Sequence, residues 1–133
     1  MKKIVLIIVI MVVGLVAFGY FSNKKAMENS QVAGAEIEKA PLIFFYGKGC
    51  PHCENVEEYF KKNKVEEKIK FHQVEVWGNK ANQKIMVEKA KQCGIAEDNL
   101  GVPLLWSDGK CFSGDKDIIQ FFNDKLNTKD ENK

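Results

Sequence analysis

Hydrophobic positions fall into two regimes along the chain. Ile4 to Phe21 is an unbroken run without a charge; beyond it, short apolar clusters alternate with charged stretches. Leu42-Ile43-Phe44-Phe45-Tyr46 is a continuous apolar block, the pattern of a strand buried on both faces. Pro51 suits the first turn of a helix running to about Lys64, with Val56, Tyr59, Phe60 and Asn63 on one face. Ile69 to Trp77 alternates imperfectly and predicts a second strand. Over Asn79 to Cys93 the residues Ile85, Met86, Ala90 and Cys93 recur at helical spacing, and Gly94 marks the C-terminal cap. Val102 to Trp106 predicts a third strand, Ser107-Asp108-Gly109 a tight turn, and Lys110 to Phe112 a short fourth strand. Ile118, Ile119, Phe122 and Leu126 share the apolar face of a last helix, Asp115 to Leu126.

The predicted order is β-α-β-α-β-β-α. Strands joined through a helix cross over right-handedly and pair in parallel, whereas the last two strands form an antiparallel hairpin. The fold class is therefore α/β: a four-stranded mixed sheet with helices on both faces, preceded by an N-terminal transmembrane helix. The organisation reads as a membrane segment at 1–22, a polar linker at 23–40, the folded domain at 41–127 and a polar tail at 128–133.

Eighteen helical residues from Ile4 to Phe21 would span about 27 Å, close to the thickness of a bilayer core. That length favours an uncleaved anchor. A signal peptide cleaved near Ala17-Phe18-Gly19 is the alternative, and a lipoprotein anchor is excluded because no Cys follows the run. Lys2 and Lys3 favour a cytoplasmic N-terminus, while Lys24 and Lys25 oppose it. Under either reading the domain lies outside the cytoplasm, anchored or secreted.

Composition narrows the partners. The 133 residues are 45% hydrophobic and 29% charged, with a net charge of +2. Lys2 and Lys3 account for that charge; the rest of the chain is balanced, and every basic residue is Lys. A balanced surface without guanidinium groups argues against nucleic acid as the main partner.

The chemistry lies in the spacing of the four cysteines. Cys50-Pro51-His52-Cys53 falls where the first strand gives way to a helix. Two thiols at C-x-x-C spacing on a helical first turn can close a disulfide, and the unpaired N–H groups there favour a negative sulfur. Cys50 is then the attacking thiolate and Cys53 the resolving thiol. His52 is placed to add positive charge or a hydrogen bond near Cys50. Half a zinc site is the competing reading of a C-x-x-C pair, but a second paired knuckle is missing, and His72 stands alone on a predicted surface. No metal site is therefore assigned. Cys93 at a helix end and Cys111 in the hairpin fit a structural disulfide if helix and strand pack together; two buried free thiols are the alternative. Trp77 and Trp106 read as core or rim residues.

Phe45-Tyr46-Gly47-Lys48-Gly49-Cys50-Pro51-His52-Cys53, followed some fifty residues on by Gly101-Val102-Pro103, resembles the active-site strand, loop and cis-proline loop of the thioredoxin superfamily. The resemblance covers roughly Ala40 to Leu126, and it is of the glutaredoxin type because no additional strand and helix precede Leu42. It implies a cis Pro103 facing the Cys50 sulfur, with Val102 offering its backbone to an extended substrate. The implied activity is thiol–disulfide exchange with protein thiols and disulfides, the Cys50–Cys53 pair being the redox centre without a further cofactor. Lys48, Gly114 and Asp115 match positions that hold glutathione in glutaredoxins, although Ser113 replaces the first Gly of the pair and Lys116 interrupts the acids. The Pro-His dipeptide resembles the oxidising DsbA-type proteins, which implies an oxidant role, with isomerase and reductant roles left open, and a membrane redox partner, a quinone-linked oxidase or a thiol reductase, that recharges the pair. A non-enzymatic module, binding a metal ion or an apo-metalloprotein, is the second reading.

Overall fold

The computed structural model describes residue 4, residues 8–18 and residues 34–130. It divides into two units after Glu36. In the first, residues 8–18 are helical and their apolar side chains are exposed. Among the described residues no helix is long and apolar enough to cross a membrane. Most of the flanking stretch on which the 1–22 reading depends lies outside the described residues, as do 19–33 and 131–133.

The second unit is built on a four-stranded sheet of order β2-β1-β3-β4. The strands are β1 (Leu42–Tyr46), β2 (His72–Glu75), β3 (Leu104–Ser107) and β4 (Lys110–Ser113). β1 pairs in parallel with β2 and antiparallel with β3, and β3 pairs antiparallel with β4. Helices α1 (Pro51–Asn63), α2 (Val65–Lys68), α3 (Lys80–Gln92) and α4 (Asp115–Asp130) complete it, with a 3-10 turn at Glu97–Asn99. This is the thioredoxin-like α/β fold that the sequence implies.

The apolar block of β1 is explained by its central place. Ile43 and Phe45 face a cluster with Ile85, Met86 and Ala90 of α3, while Leu42 and Phe44 face Val56, Phe60, Ile118, Phe122 and Leu126 of α1 and α4. Each face of the sheet thus excludes water. Phe60 is the hub of the second cluster, edge-on to Phe44, Phe71 and Phe122 at 5.2, 5.0 and 4.8 Å. Asp108 and Gly109 both have positive φ, 44° and 89°. That is the two-residue hairpin turn that Asp-Gly favours.

Several boundaries shift. The Lys-rich stretch after α1 contains a helix, α2, because Val65 is fully buried and Ile69 nearly so; the apolar anchors overrule a polar local pattern. β2 begins later than predicted, at His72, since Ile69 caps α2. Residues 34–39 of the predicted linker are helical, with Ile37 and Ala40 packed on the α3-side core. α4 runs on to Asp130, through the first residues of the predicted tail.

Candidate active site

The site is assembled where β1 ends and α1 begins. Gly49 has φ +82°, a left-handed conformation that glycine adopts without strain. The chain then turns so that Cys50 is the N-cap of α1 and Pro51 its first residue. The Cys50 N–H bonds the Gly47 carbonyl at 3.1 Å, and no side chain caps the helix. The Cys50 sulfur therefore sits at the positive end of a helix of 13 residues.

Both cysteines are free thiols, 5% and 1% exposed. The Cys50 Sγ lies 3.8 Å from the Val102 carbonyl. The Val102–Pro103 bond is cis, and the Pro103 carbonyl accepts the Gly114 N–H at 3.0 Å. The loop that faces Cys50 is thereby tied to the start of α4. Cys53 is pushed up to about 12. Burial is the main cause, followed by its hydrogen bond with Cys50 and the neighbouring charges of Cys50 and Glu57; a backbone bond from Gly47 opposes them. The two thiols are chemically unequal, with Cys53 held as a thiol.

His52 has its described polar contact with Asp115 rather than with Cys50: its Nδ1 lies 3.2 Å from Asp115 Oδ2. The same oxygen accepts from Asn55 Nδ2 at 2.7 Å. The Asn55 and His52 hydrogen bonds hold the Asp115 carboxyl down at about 2. Two side chains on successive turns of α1, His52 and Asn55, thus tie its start to Asp115, the first residue of α4. Asn55 was invisible to sequence reasoning; its one signal is that it lies one turn beyond His52.

The other wall is formed after β2. Glu75 accepts from the Trp77 and Gly78 N–H groups at 2.8 and 2.9 Å, and from the Lys48 N–H at 3.5 Å. These bonds, Gly78 first, hold its carboxyl below the usual range. Trp77 lies flat over Gly47, where an added Cβ would fall 2.3 Å from the ring. Gly47 is thus required by close approach. Trp77 is a rim residue, 59% exposed, and Trp106 a core residue, 6% exposed.

Lys48 is held to Glu75 through its backbone N–H, whereas Gly114 and Asp115 are engaged by the protein itself: Gly114 bonds Pro103, and Asp115 is bonded by His52 and Asn55. A ligand amine reaching Asp115 would have to displace those two donors. Cys93 and Cys111 are bridged, with S–S 2.02 Å and Cα–Cα 5.9 Å, joining the C-cap of α3 to β4. Among the described residues no group of three or more His, Cys, Asp or Glu could hold a metal ion.

No family model matches the chain, and no curated protein matches it. Solved structures similar to it are glutaredoxins. The buckwheat glutaredoxin–glutathione complex has a TM-score of 0.47 and 19% identity, over 71% of this chain and 79% of that one. The holo form of glutaredoxin C1 from Populus tremula x tremuloides has a TM-score of 0.47 and 17% identity, over 69% and 84%. Oxidised glutaredoxin 2 from Chlamydomonas reinhardtii has a TM-score of 0.45 and 16% identity, over 77% and 90%. At such identities and TM-scores the likeness carries no functional argument, and the strand order and the chemistry at Cys50 are what bear on function.

Proposed function

We propose that the chain is a thiol–disulfide oxidoreductase that oxidises protein thiols through Cys50–Cys53. The observation that carries this reading is the inequality of the two sulfurs: Cys50 at a helix N-terminus beside Val102, Cys53 buried and held as a thiol near 12. In the oxidised enzyme a substrate thiolate attacks Cys50 Sγ. The Cys50–Cys53 bond breaks, Cys53 takes up a proton, and a mixed disulfide forms. A second substrate thiolate then attacks the substrate sulfur of that bond and Cys50 leaves. Two electrons pass from the substrate dithiol to the cysteine pair. The competing escape, attack of Cys53 on Cys50, is slowed because so little Cys53 is thiolate, and the substrate disulfide is completed first.

The domain works outside the cytoplasm, tethered by the apolar run Ile4 to Phe21, and a membrane redox partner reoxidises Cys50–Cys53. The Cys93–Cys111 bridge supports this location, because structural disulfides persist in oxidising compartments. Glutathione is a secondary substrate at most, given the prior engagement of Asp115. The test is trapping. Cys53→Ser should accumulate mixed disulfides through Cys50, and Cys50→Ser should abolish exchange. Trapping through Cys53 in the Cys50→Ser chain would overturn the assignment of roles. A reduction potential below about −260 mV, on the thioredoxin side of the scale, would overturn the oxidant direction.

A further inference from the structure

Beside Cys50 a groove of about 460 Å³ runs between the start of α3, the segment after β2 and the loop before Pro103. Its walls include Trp77, Lys80, Lys84, Leu100 and Val102. Two contacts place it next to the reacting sulfur. Val102 is the residue whose carbonyl lies 3.8 Å from Cys50 Sγ. Trp77 rests on Gly47, whose carbonyl holds the Cys50 N–H.

The lining has a definite chemistry. Trp77 is the one exposed large hydrophobic residue among the described residues of the second unit. Its ring is supported by Gly47 and its backbone N–H is fixed by Glu75, so little freedom remains to be lost on binding. Lys80 and Lys84 stand one helical turn apart, and neither has an acidic partner among the described residues. The acid in the groove, Glu97, is already neutralised by Lys91 at 2.7 Å. The groove is therefore an aromatic platform beside two uncompensated positive charges.

We infer that this groove selects the substrate: it takes an extended polypeptide segment that places an apolar or aromatic side chain on Trp77 and an acidic side chain between Lys80 and Lys84, flanking the cysteine that exchanges with Cys50. The inference rests on the oxidoreductase reading and gives it a substrate class. Charge complementarity fixes the sign of the partner, and a supported, exposed indole makes the apolar anchor.

The test uses the full chain in its oxidised form and a set of short unfolded dithiol peptides. They are identical except for the position flanking the first cysteine (Glu, Gln or Lys) and its neighbour (Phe or Ala). The Glu–Phe peptide should exceed the Lys–Ala peptide in kcat/KM by about tenfold or more, carried by KM, the factor that 1.4 kcal/mol represents. Lys80→Ala with Lys84→Ala should flatten the Glu-over-Lys preference and leave the Phe-over-Ala preference. Trp77→Ala should do the reverse, and Trp77→Phe should restore part of it. A Glu–Phe peptide with Ser in place of both cysteines should shift the Trp77 fluorescence, and in 1 M salt or in the double Lys variant the same shift should need a higher peptide concentration. Unchanged peptide preferences in these variants, or a preference for the Lys peptide, would overturn the inference while leaving exchange at Cys50 intact. If the wild-type chain does not oxidise even dithiothreitol, the oxidoreductase reading fails and this inference with it.

Discussion

Cys53 offers a sharp test, because its inertness can be put into numbers. Raising this thiol from 9.0 to about 12 removes its thiolate at neutral pH about a thousandfold. A more basic thiolate is also a better nucleophile, and a Brønsted slope of about 0.4–0.5 returns a factor of roughly 16 to 30. Cys53 should therefore react about 30 to 60 times more slowly at pH 7 than an ordinary thiol. In the Cys50→Ser chain, with Cys93 and Cys111 bridged, Cys53 is the remaining free thiol. The substitution takes away the Cys50 hydrogen bond and charge but leaves burial, the largest cause. Alkylation by iodoacetamide, followed by mass, should run at least about tenfold slower folded than in urea. Poor access alone would also slow the reaction, so the pH profile decides. The folded rate should keep rising about tenfold per pH unit past pH 9, whereas the unfolded rate levels off there. A plateau near pH 9 in the folded chain would refute the argument, and with it the account of why the mixed disulfide outlives internal escape.

Three further outcomes are expected. The folded Asp115 carboxyl titrates at about 2 against an ordinary 3.8. Between these values the unfolded chain binds more protons, so stability present above pH 3.8 is lost as pH falls towards 2. In Asp115→Asn, urea midpoints should vary less steeply over that window; an unchanged slope would exclude the His52–Asn55–Asp115 contact in solution. Phe60→Ala, at the hub of the aromatic cluster, should cost about 3–5 kcal/mol in denaturant unfolding, and a loss below 1 kcal/mol would contradict the packing. Cys111→Ser opens a bridge between residues 18 apart and should cost about 3 kcal/mol, while exchange through Cys50 survives.

How much of this was legible depends on the range of each interaction. β1 could be read directly, because a strand covered on both faces has to be apolar at every position. The placement of Cys50 and Pro51 at a helix start was equally legible, since the preference is local. The Val-Pro loop was reached through resemblance rather than periodicity. What escaped was set by tertiary contact. Val65 and Ile69 sit in a Lys- and Glu-rich stretch whose local pattern says solvent, and only the cleft beneath them makes α2 form. His52 was expected to serve Cys50; its partner lies 63 residues away, and no spacing rule connects the two. Glu75 and Trp77 were a strand end and a rim aromatic until the fold set them against Lys48 and Gly47.

The central position of β1 also dictates when the domain can fold. Ile43 pairs with His72 on one side and with Trp106 on the other. The earliest strand to leave the ribosome or translocon therefore waits for almost the last, and sequence-distant pairing of this kind slows folding. During that interval Cys50 and Cys53 are in the open, with Cys93 following and Cys111 arriving last. Forming the right bridge is thus a problem during synthesis, because Cys93 can meet Cys50 or Cys53 before its proper partner has emerged. Helix α1 counters this locally. Its hydrogen bonds are short-range, among them Glu54 N–H to the Cys50 carbonyl at 3.0 Å, so it can form before β3 is available and hold Cys50 and Cys53 on one turn, leaving the late pair, Cys93 and Cys111, to find each other as the hairpin closes.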